Sequence, residues 1–273
     1  MSESSDARER AARTDETARA WDRAAAKYAP DVERDVAALR DGTLNIGPPQ
    51  LAPLRTVLDA GCRVIHLQCS HGQDALSLWR LGAGEVVGID VSGAMLALAR
   101  EKAARLGTPA RFIEADVLAP PPELDGWADL VYTGQGALPW VGDIGAWAAV
   151  AARLLRPGGR LFVYEGHPLN WVWEPEAQSF VPRAGRGYFD RGARANDDFP
   201  ARAVEQHTPA GDVVPTAWEY QWTLGDVVNA VIGAGLILER LDELPEHFWP
   251  QFRNVPDELH ARLPHTFLLV ARR

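Results

Sequence analysis

The stretch that decides the fold is Val64-Ile65-His66-Leu67-Gln68-Cys69-Ser70-His71-Gly72-Gln73-Asp74, followed by Glu85-Val86-Val87-Gly88-Ile89-Asp90. An apolar run of strand length gives way to a polar turn with one glycine. A helical pattern over Ala75–Leu81 starts at once, and a second apolar run then ends on an acid. Outward from this unit the alternation continues. Strand patterns are read at Arg63–Cys69, Glu85–Asp90, Arg111–Glu114, Ala128–Thr133 and Arg160–Glu165. Helical patterns lie between them, one capped by Ser92 and running through Leu106, another over Ile144–Leu155. Strands separated by helices of this length predict βαβ units and a parallel sheet. A further helix over Leu224–Ala234 and strands over Leu236–Leu241 and Thr266–Ala271 close the chain.

A parallel sheet binds ligands at the carboxyl ends of its strands, so the first strand-to-helix loop carries the functional reading. Val57-Leu58-Asp59-Ala60-Gly61-Cys62 competes for that role, but it leads into Arg63-Val64-Ile65 and not into a helix. Spacing decides for the later loop. The acid that holds a ribose ends the second strand about 20 residues on. Asp90 stands 22 residues after Gln68 but 31 after Asp59. A pyrophosphate needs bare backbone at close approach, and here Gln68 and Ser70 stand where glycines would help. That disfavours a dinucleotide. A nucleoside without phosphate fits, its carboxylate at the start of the following helix and its ribose on Asp90.

The chain has 273 residues, 28 Lys+Arg and 37 Asp+Glu, a formal charge of −9. This balance disfavours nucleic acid and anionic membrane as partners, since both need a positive face. Cys62 and Cys69 are the only cysteines, so no disulfide framework is expected. The polar first twenty residues read as no secretory signal, and no run reaches membrane-span length, so a reduced, cytoplasmic protein is expected. Residues 1–15 read as disordered, Thr14–Arg40 as helical with a break at Pro30, and Gly47-Pro48-Pro49 as a loop. Residues 1–50 are taken as an N-terminal helical cap and 51–273 as the core. Within the core, 166–222 lacks a regular period and reads as an acceptor-binding insertion or lid after the fifth strand.

The series VIHLQCSHGQD, VVGIDVS, EADV, VYTGQGALPW and LLRPGGRLFVYEGHP resembles the bacterial class I S-adenosylmethionine-dependent methyltransferases. It is most like the branch with a His-Leu-Gln-Cys loop in place of the glycine-rich one. The resemblance covers roughly residues 55–168, and 223–273 suits the same fold. It implies a Rossmann-like, doubly wound α/β sheet of seven strands, mostly parallel, with an antiparallel C-terminal strand. It also implies S-adenosyl-L-methionine as cofactor. Gln68, Cys69, Ser70 and Gly72 would then surround the methionine part, with Tyr28 covering it. Asp90 would hold the ribose with Val91 beside the adenine, Asp116 and Val117 would meet the adenine, and Thr133 and Gln135 would flank the sulfonium.

Methyl transfer from a sulfonium is an in-line displacement, so the protein must align donor and acceptor and exclude water. The insertion offers aromatic candidates for an acceptor pocket: Trp171, Trp173, Trp218 and Trp222. His167 and Glu165, in Glu165-Gly166-His167-Pro168, are the candidate catalytic groups, with Glu174 a weaker one. His71 is read as structural or donor-lining. No metal site is expected: His66 and His71 are five apart on strand and loop, and His247, His260 and His265 are scattered. Relatives often carry a His-Ser pair before the Leu-Gly-Asp that opens the helix after the insertion, whereas this chain has Trp222-Thr223. The acceptor therefore cannot be carried over from them. The expected activity is methyl transfer to a small molecule, O-methylation first and N- or C-methylation next, in secondary metabolism. Alternatives are a donor-binding enzyme that does not methylate, such as a cyclase, and a nicotinamide oxidoreductase.

Overall fold

The computed structural model describes residues Ser2–Arg273, with side chains from Asp6 onward. The helices are α1 (Ser2–Ala24), α2 (Val32–Arg40), α3 (Pro48–Arg55), α4 (Gln73–Arg80), α5 (Gly93–Leu106), α6 (Ile144–Leu154), α7 (Ala201–His207), α8 (Leu224–Gly233) and α9 (Asp257–His260). The strands are β1 (Arg63–Leu67), β2 (Glu85–Asp90), β3 (Arg111–Glu114), β4 (Ala128–Gly134), β5 (Leu155–Gly166), β6 (Arg194–Ala195), β7 (Trp218–Glu219), β8 (Ile237–Leu244) and β9 (Thr266–Arg272). A seven-stranded sheet has the order β3-β2-β1-β4-β5-β9-β8, the doubly wound pattern, and β6 and β7 form a separate ribbon.

The chain groups into two compact units. The first holds the residues up to Ile46, Leu58–Leu124 and Ala193–Glu219. Its strands β1, β2 and β3 are parallel, with Leu67 opposite Ile89 and Asp90 opposite Glu114. Val64, Ile65, Leu67, Val87 and Ile89 are buried on both faces of these strands, under Leu76 of α4 and Leu96 of α5. This is why the strands read as continuous apolar runs and not as alternation. The Ser92 hydroxyl accepts the Met95 N–H at 3.2 Å and starts α5, and Gly107, at φ +65°, stops it.

The second unit holds Gly47–Val57, Asp125–Gly192 and Tyr220–Arg273. Strands β4 and β5 are parallel, β9 runs antiparallel to β5, and β8 runs antiparallel to β9. The sheet is thus mostly parallel with its antiparallel member at the C-terminus, as the resemblance implies. Trp147 of α6, Tyr132 and Phe162 are fully buried in this core.

Two local expectations are corrected. Residues 2–15 are helical, not disordered (Met1 lies outside the described residues). Ala, Arg and Glu are strong helix formers, and Arg13 pairs with Glu9 at 2.6 Å one turn away. Pro48-Pro49 is the first turn of α3 and not a loop, since proline suits a position whose N–H has no helical partner. The Gln50 side chain then accepts the Tyr132 hydroxyl at 2.8 Å. The 166–222 stretch also divides, residues to Gly192 grouping with the second unit and Ala193–Glu219 with the first. Side-chain bonds explain this: Arg191 grips Asp226 at the start of α8, whereas Trp218 donates to Glu16 of α1 at 2.7 Å.

Candidate functional site

In the first unit, β1 ends in a turn whose backbone is strained. Gln68 (φ +56°) and Ser70 (φ +48°) occupy the left-handed region, as does Gln135 (φ +59°) after β4 in the second unit. Among the described residues these three are the non-glycine positions with positive φ. Such a conformation costs on the order of 1–3 kcal/mol and is retained where surrounding structure enforces it. The enforcement at Ser70 is visible. One Asp90 oxygen accepts the Ser70 N–H at 2.7 Å and the other accepts the Ser92 N–H at 2.9 Å. Burial pushes the Asp90 carboxyl above its usual range, and these backbone donors pull it back. A carboxylate offers about four acceptor positions, so both oxygens retain capacity for hydroxyl donors.

Gly72 caps α4 at φ +78°. A Cβ there would lie 2.6 Å from the Ala99 Cβ and 3.0 Å from Phe112, so the turn needs glycine for space as well as conformation. With glycine as N-cap, no N-cap side chain bonds the amides that open α4, where the helix dipole favours a carboxylate. The Cys69 thiol donates to the Ser70 carbonyl at 3.8 Å. It is buried against Gly88 and Phe112, and burial raises its pKa well above normal. Val91 and Asp116 are half-buried and Val117 is buried. Asp116 accepts the Leu118 N–H at 2.9 Å and so closes its own turn.

Behind this turn lies a buried polar cluster that sequence reading missed. The Lys102 ammonium on α5 is fully buried, 2.8 Å from Asp35 on α2 and 2.6 Å from His71 Nδ1. His71 stacks on Tyr28 at 4.4 Å between ring centroids. Burial, with Lys102 adding to it, lowers the His71 pKa to about 4, and burial raises that of Tyr28 to about 12. Both side chains are therefore neutral near pH 7, and His71 accepts from Lys102. No local periodicity marks Lys102, which sits on the helix face that a lysine normally avoids.

In the second unit, Thr133 is buried and Gln135 half-buried at the end of β4. The Gln135 N–H donates to the Tyr164 carbonyl at 2.8 Å. Glu165, also buried, accepts backbone N–H bonds from Gly136, Ala137 at 2.7 Å, Leu138 at 2.8 Å and Gly166 at 3.1 Å. Burial raises its pKa and these donors oppose the rise. His167 Nδ1 accepts the Leu169 N–H at 3.1 Å, so Nε2 carries the proton toward Glu243 at 2.9 Å. Burial lowers the His167 pKa and Glu243 opposes it. As arranged, Glu165 holds the 135–138 turn and His167 caps the turn after β5.

A shallow cleft, partly open to solvent, lies beside these groups, walled by Glu165, His167, Trp171, Phe248, Trp249 and His265. Trp171 lines this cleft. Trp173 packs on Phe180 at 5.7 Å, and Trp222 donates to the Val141 carbonyl at 2.9 Å and stacks on Tyr220. Trp218 belongs to the first unit, between Glu16 and the Arg13 guanidinium, 5.1 Å from its ring. The cleft aromatics Phe248 and Trp249 come from the connection between β8 and β9, a segment given no role from sequence. Glu174 donates its N–H to Val181 and lies outside the lining of the cleft.

The expectation that His247, His260 and His265 are scattered is corrected. The β8–β9 connection folds back, and ring nitrogens from all three lie within 4.8 Å of one another. Wide spacing in sequence conceals this because the two antiparallel strands return the chain to its starting edge.

Comparison with known proteins agrees with the fold. Residues 64–159 match the methyltransferase domain family. The demethylmenaquinone methyltransferase of Thermus thermophilus is 41% identical over 107 residues, which is 39% of this chain and 48% of the relative. The trans-aconitate 2-methyltransferase of Paracidovorax citrulli is 34% identical over 110 residues, 40% of each chain. The chain thus spans about half or less of the length of these curated relatives. Among solved structures, an S-adenosylmethionine-dependent methyltransferase from Mesorhizobium loti is 25% identical with a TM-score of 0.60. That match covers 83% of this chain and 99% of the other.

Proposed function

Because the chain carries a class I S-adenosylmethionine-dependent methyltransferase domain, we propose that it transfers a methyl group from S-adenosylmethionine to a small-molecule acceptor. The observation that carries this reading is the strained backbone at Gln68 and Ser70, two residues that follow the carboxyl end of β1. Parallel sheets of this kind bind ligands at such ends. When bound, the cofactor supplies an electrophilic methyl group on a sulfonium. In this reading Asp90 accepts the ribose hydroxyls while bracing Ser70. The bare start of α4 takes the amino-acid carboxylate, and the Tyr28–His71 pair covers that end. Val91, Asp116 and Val117 receive the adenine, while Thr133 and Gln135 border the reacting sulfur.

The acceptor enters the cleft of the second unit. Trp171, Phe248 and Trp249 favour an apolar or aromatic molecule, and their ring faces favour a passing cationic centre by about 0.5–2 kcal/mol each. Glu165 and His167 enter as holders of the cleft wall, and no general base is assigned. We assign O-methylation first, a role in secondary metabolism, and a reduced cytoplasmic setting that suits two free cysteines. No described helix is long and apolar enough to cross a membrane.

The test is calorimetry with S-adenosylhomocysteine on wild type and Asp90→Asn, then label transfer from the donor to a panel of small acceptors. Affinity weakened by about 1–3 kcal/mol in the variant supports the ribose role. No heat with folded wild type removes the donor assignment. Transfer to bulk tRNA but to no small acceptor removes the acceptor class. A donor-dependent product without added methyl mass would support the cyclase alternative.

A further inference from the structure

We propose that His247, His260 and His265 form a binding site for one transition-metal ion of the zinc class, with its open coordination position toward the cleft. Three side chains supply one nitrogen each: His247 from the loop after β8, His260 from the end of α9, and His265 immediately before β9. His247 Nε2 is 2.9 Å from His260 Nδ1, which is 3.3 Å from His265 Nε2. Three nitrogens bound at 2.0–2.1 Å to a tetrahedral ion stand roughly 3.3 Å apart, so two of the three separations are near coordinating dimensions. The His247 and His265 rings stack at 3.7 Å between centroids, so one of them must turn for all three lone pairs to converge.

The hydrogen bonds around the cluster fix which nitrogens carry lone pairs. Asn170 donates its amide to the His265 carbonyl at 2.8 Å, which orients its oxygen toward His265 Nδ1 at 2.9 Å. An amide oxygen only accepts, so His265 Nδ1 is protonated and Nε2 bears a lone pair. His260 Nε2 faces the Phe252 carbonyl at 3.2 Å, so it too is protonated and Nδ1 bears the lone pair. Two lone pairs therefore face each other across 3.3 Å, an arrangement that a proton from His247 satisfies only in part. A cation between them satisfies both. Carbonyl and amide partners behind ligating imidazoles are the usual supports of a metal site.

The donor set selects the ion. Three imidazoles suit zinc, cobalt, nickel or copper, whereas magnesium and calcium take oxygen ligands. Three protein ligands leave a position open, and His247 and His265 both line the cleft whereas His260 does not. The ion would also staple the long β8–β9 connection, which has Phe180 and Phe252 as its small apolar core.

Tag-free full-length protein, stripped with chelator and titrated with Zn²⁺ and with Co²⁺, tests this independently of any methyl transfer. We expect one equivalent bound, visible cobalt absorption of tetrahedral intensity, and no competition from Mg²⁺. His260→Ala should abolish the cobalt spectrum, and Asn170→Ala should weaken zinc binding roughly 10–100-fold. His207→Ala, a histidine of the other unit, should leave both unchanged. Circular dichroism of the stripped variants separates loss of ligand from loss of fold. Absence of stoichiometric binding to folded wild type, or an unaltered spectrum in folded His260→Ala, would overturn the proposal.

Discussion

At Ser70 the chain accepts a left-handed backbone without the glycine that would ease it, and the Asp90 carboxylate holds it there. The strain, on the order of 1–3 kcal/mol, exceeds the entropic cost of placing glycine, about 0.5–1 kcal/mol. Ser70→Gly should therefore raise the urea midpoint or leave it unchanged, with the slope preserved. A clear fall would mean that the hydroxyl contributes more than the backbone costs. Two residues on, the sign reverses. Gly72→Ala must tolerate φ +78° and a Cβ contact of 2.6 Å with Ala99, where the turn lies against α5 and Phe112 of β3. It should lose at least about 1–3 kcal/mol of stability by denaturant titration. An unaltered midpoint would show that the turn relaxes freely, which is incompatible with a loop held in one conformation.

At the scale of elements, α2 and α5 are joined by the buried Lys102–Asp35 pair and its contact with His71. Lys102→Met leaves the Asp35 carboxylate buried beside Arg34 alone and should cost about 3–5 kcal/mol. The double variant Lys102→Met/Asp35→Leu should recover most of that loss in the same denaturation assay. Equal losses in the single and double variants would mean that the lysine acts through packing and not through charge. This pair also marks where sequence reading runs out. The bounds of β2 and β3 and the Ser92 cap were legible because each depends on neighbours within four residues. Asp35 and Lys102 are 67 positions apart, and a lysine in a helical pattern gives no sign that it is buried. The histidine cluster was illegible for the same reason, since β8 and β9 bring its members together only after pairing. The N-terminal half of α1 was missed for the opposite reason. Its first turns have few apolar positions to count, and propensity and ion pairing carry them. The turn after β1 was legible as a turn because a polar loop with one glycine separates an apolar run from a helical pattern.

Across the whole molecule, acid acts on groups that the fold keeps neutral. Burial lowers the pKa of His66 to about 3 and that of His71 to about 4, whereas an unfolded histidine protonates near 6.5. Between pH 6.5 and 4 the unfolded chain binds protons that the folded chain refuses. Stability therefore rises with pH in this window and is lost as pH falls through it. Asp90 and Glu165 work the other way, because their raised pKa values let the folded chain take protons first. Relaxation of the −9 net charge on acidification also favours the compact state. A fall in the urea midpoint from pH 7 to pH 5 thus reports the buried histidines against two opposing effects. His71→Gln keeps an acceptor for Lys102 but cannot titrate, so its midpoint should depend less on pH than that of wild type. A His71→Gln midpoint that depends on pH as strongly as that of wild type would mean that the His71 imidazole is not held neutral in the folded chain. The Tyr28–His71–Lys102 arrangement behind the turn after β1 would then need a different protonation state.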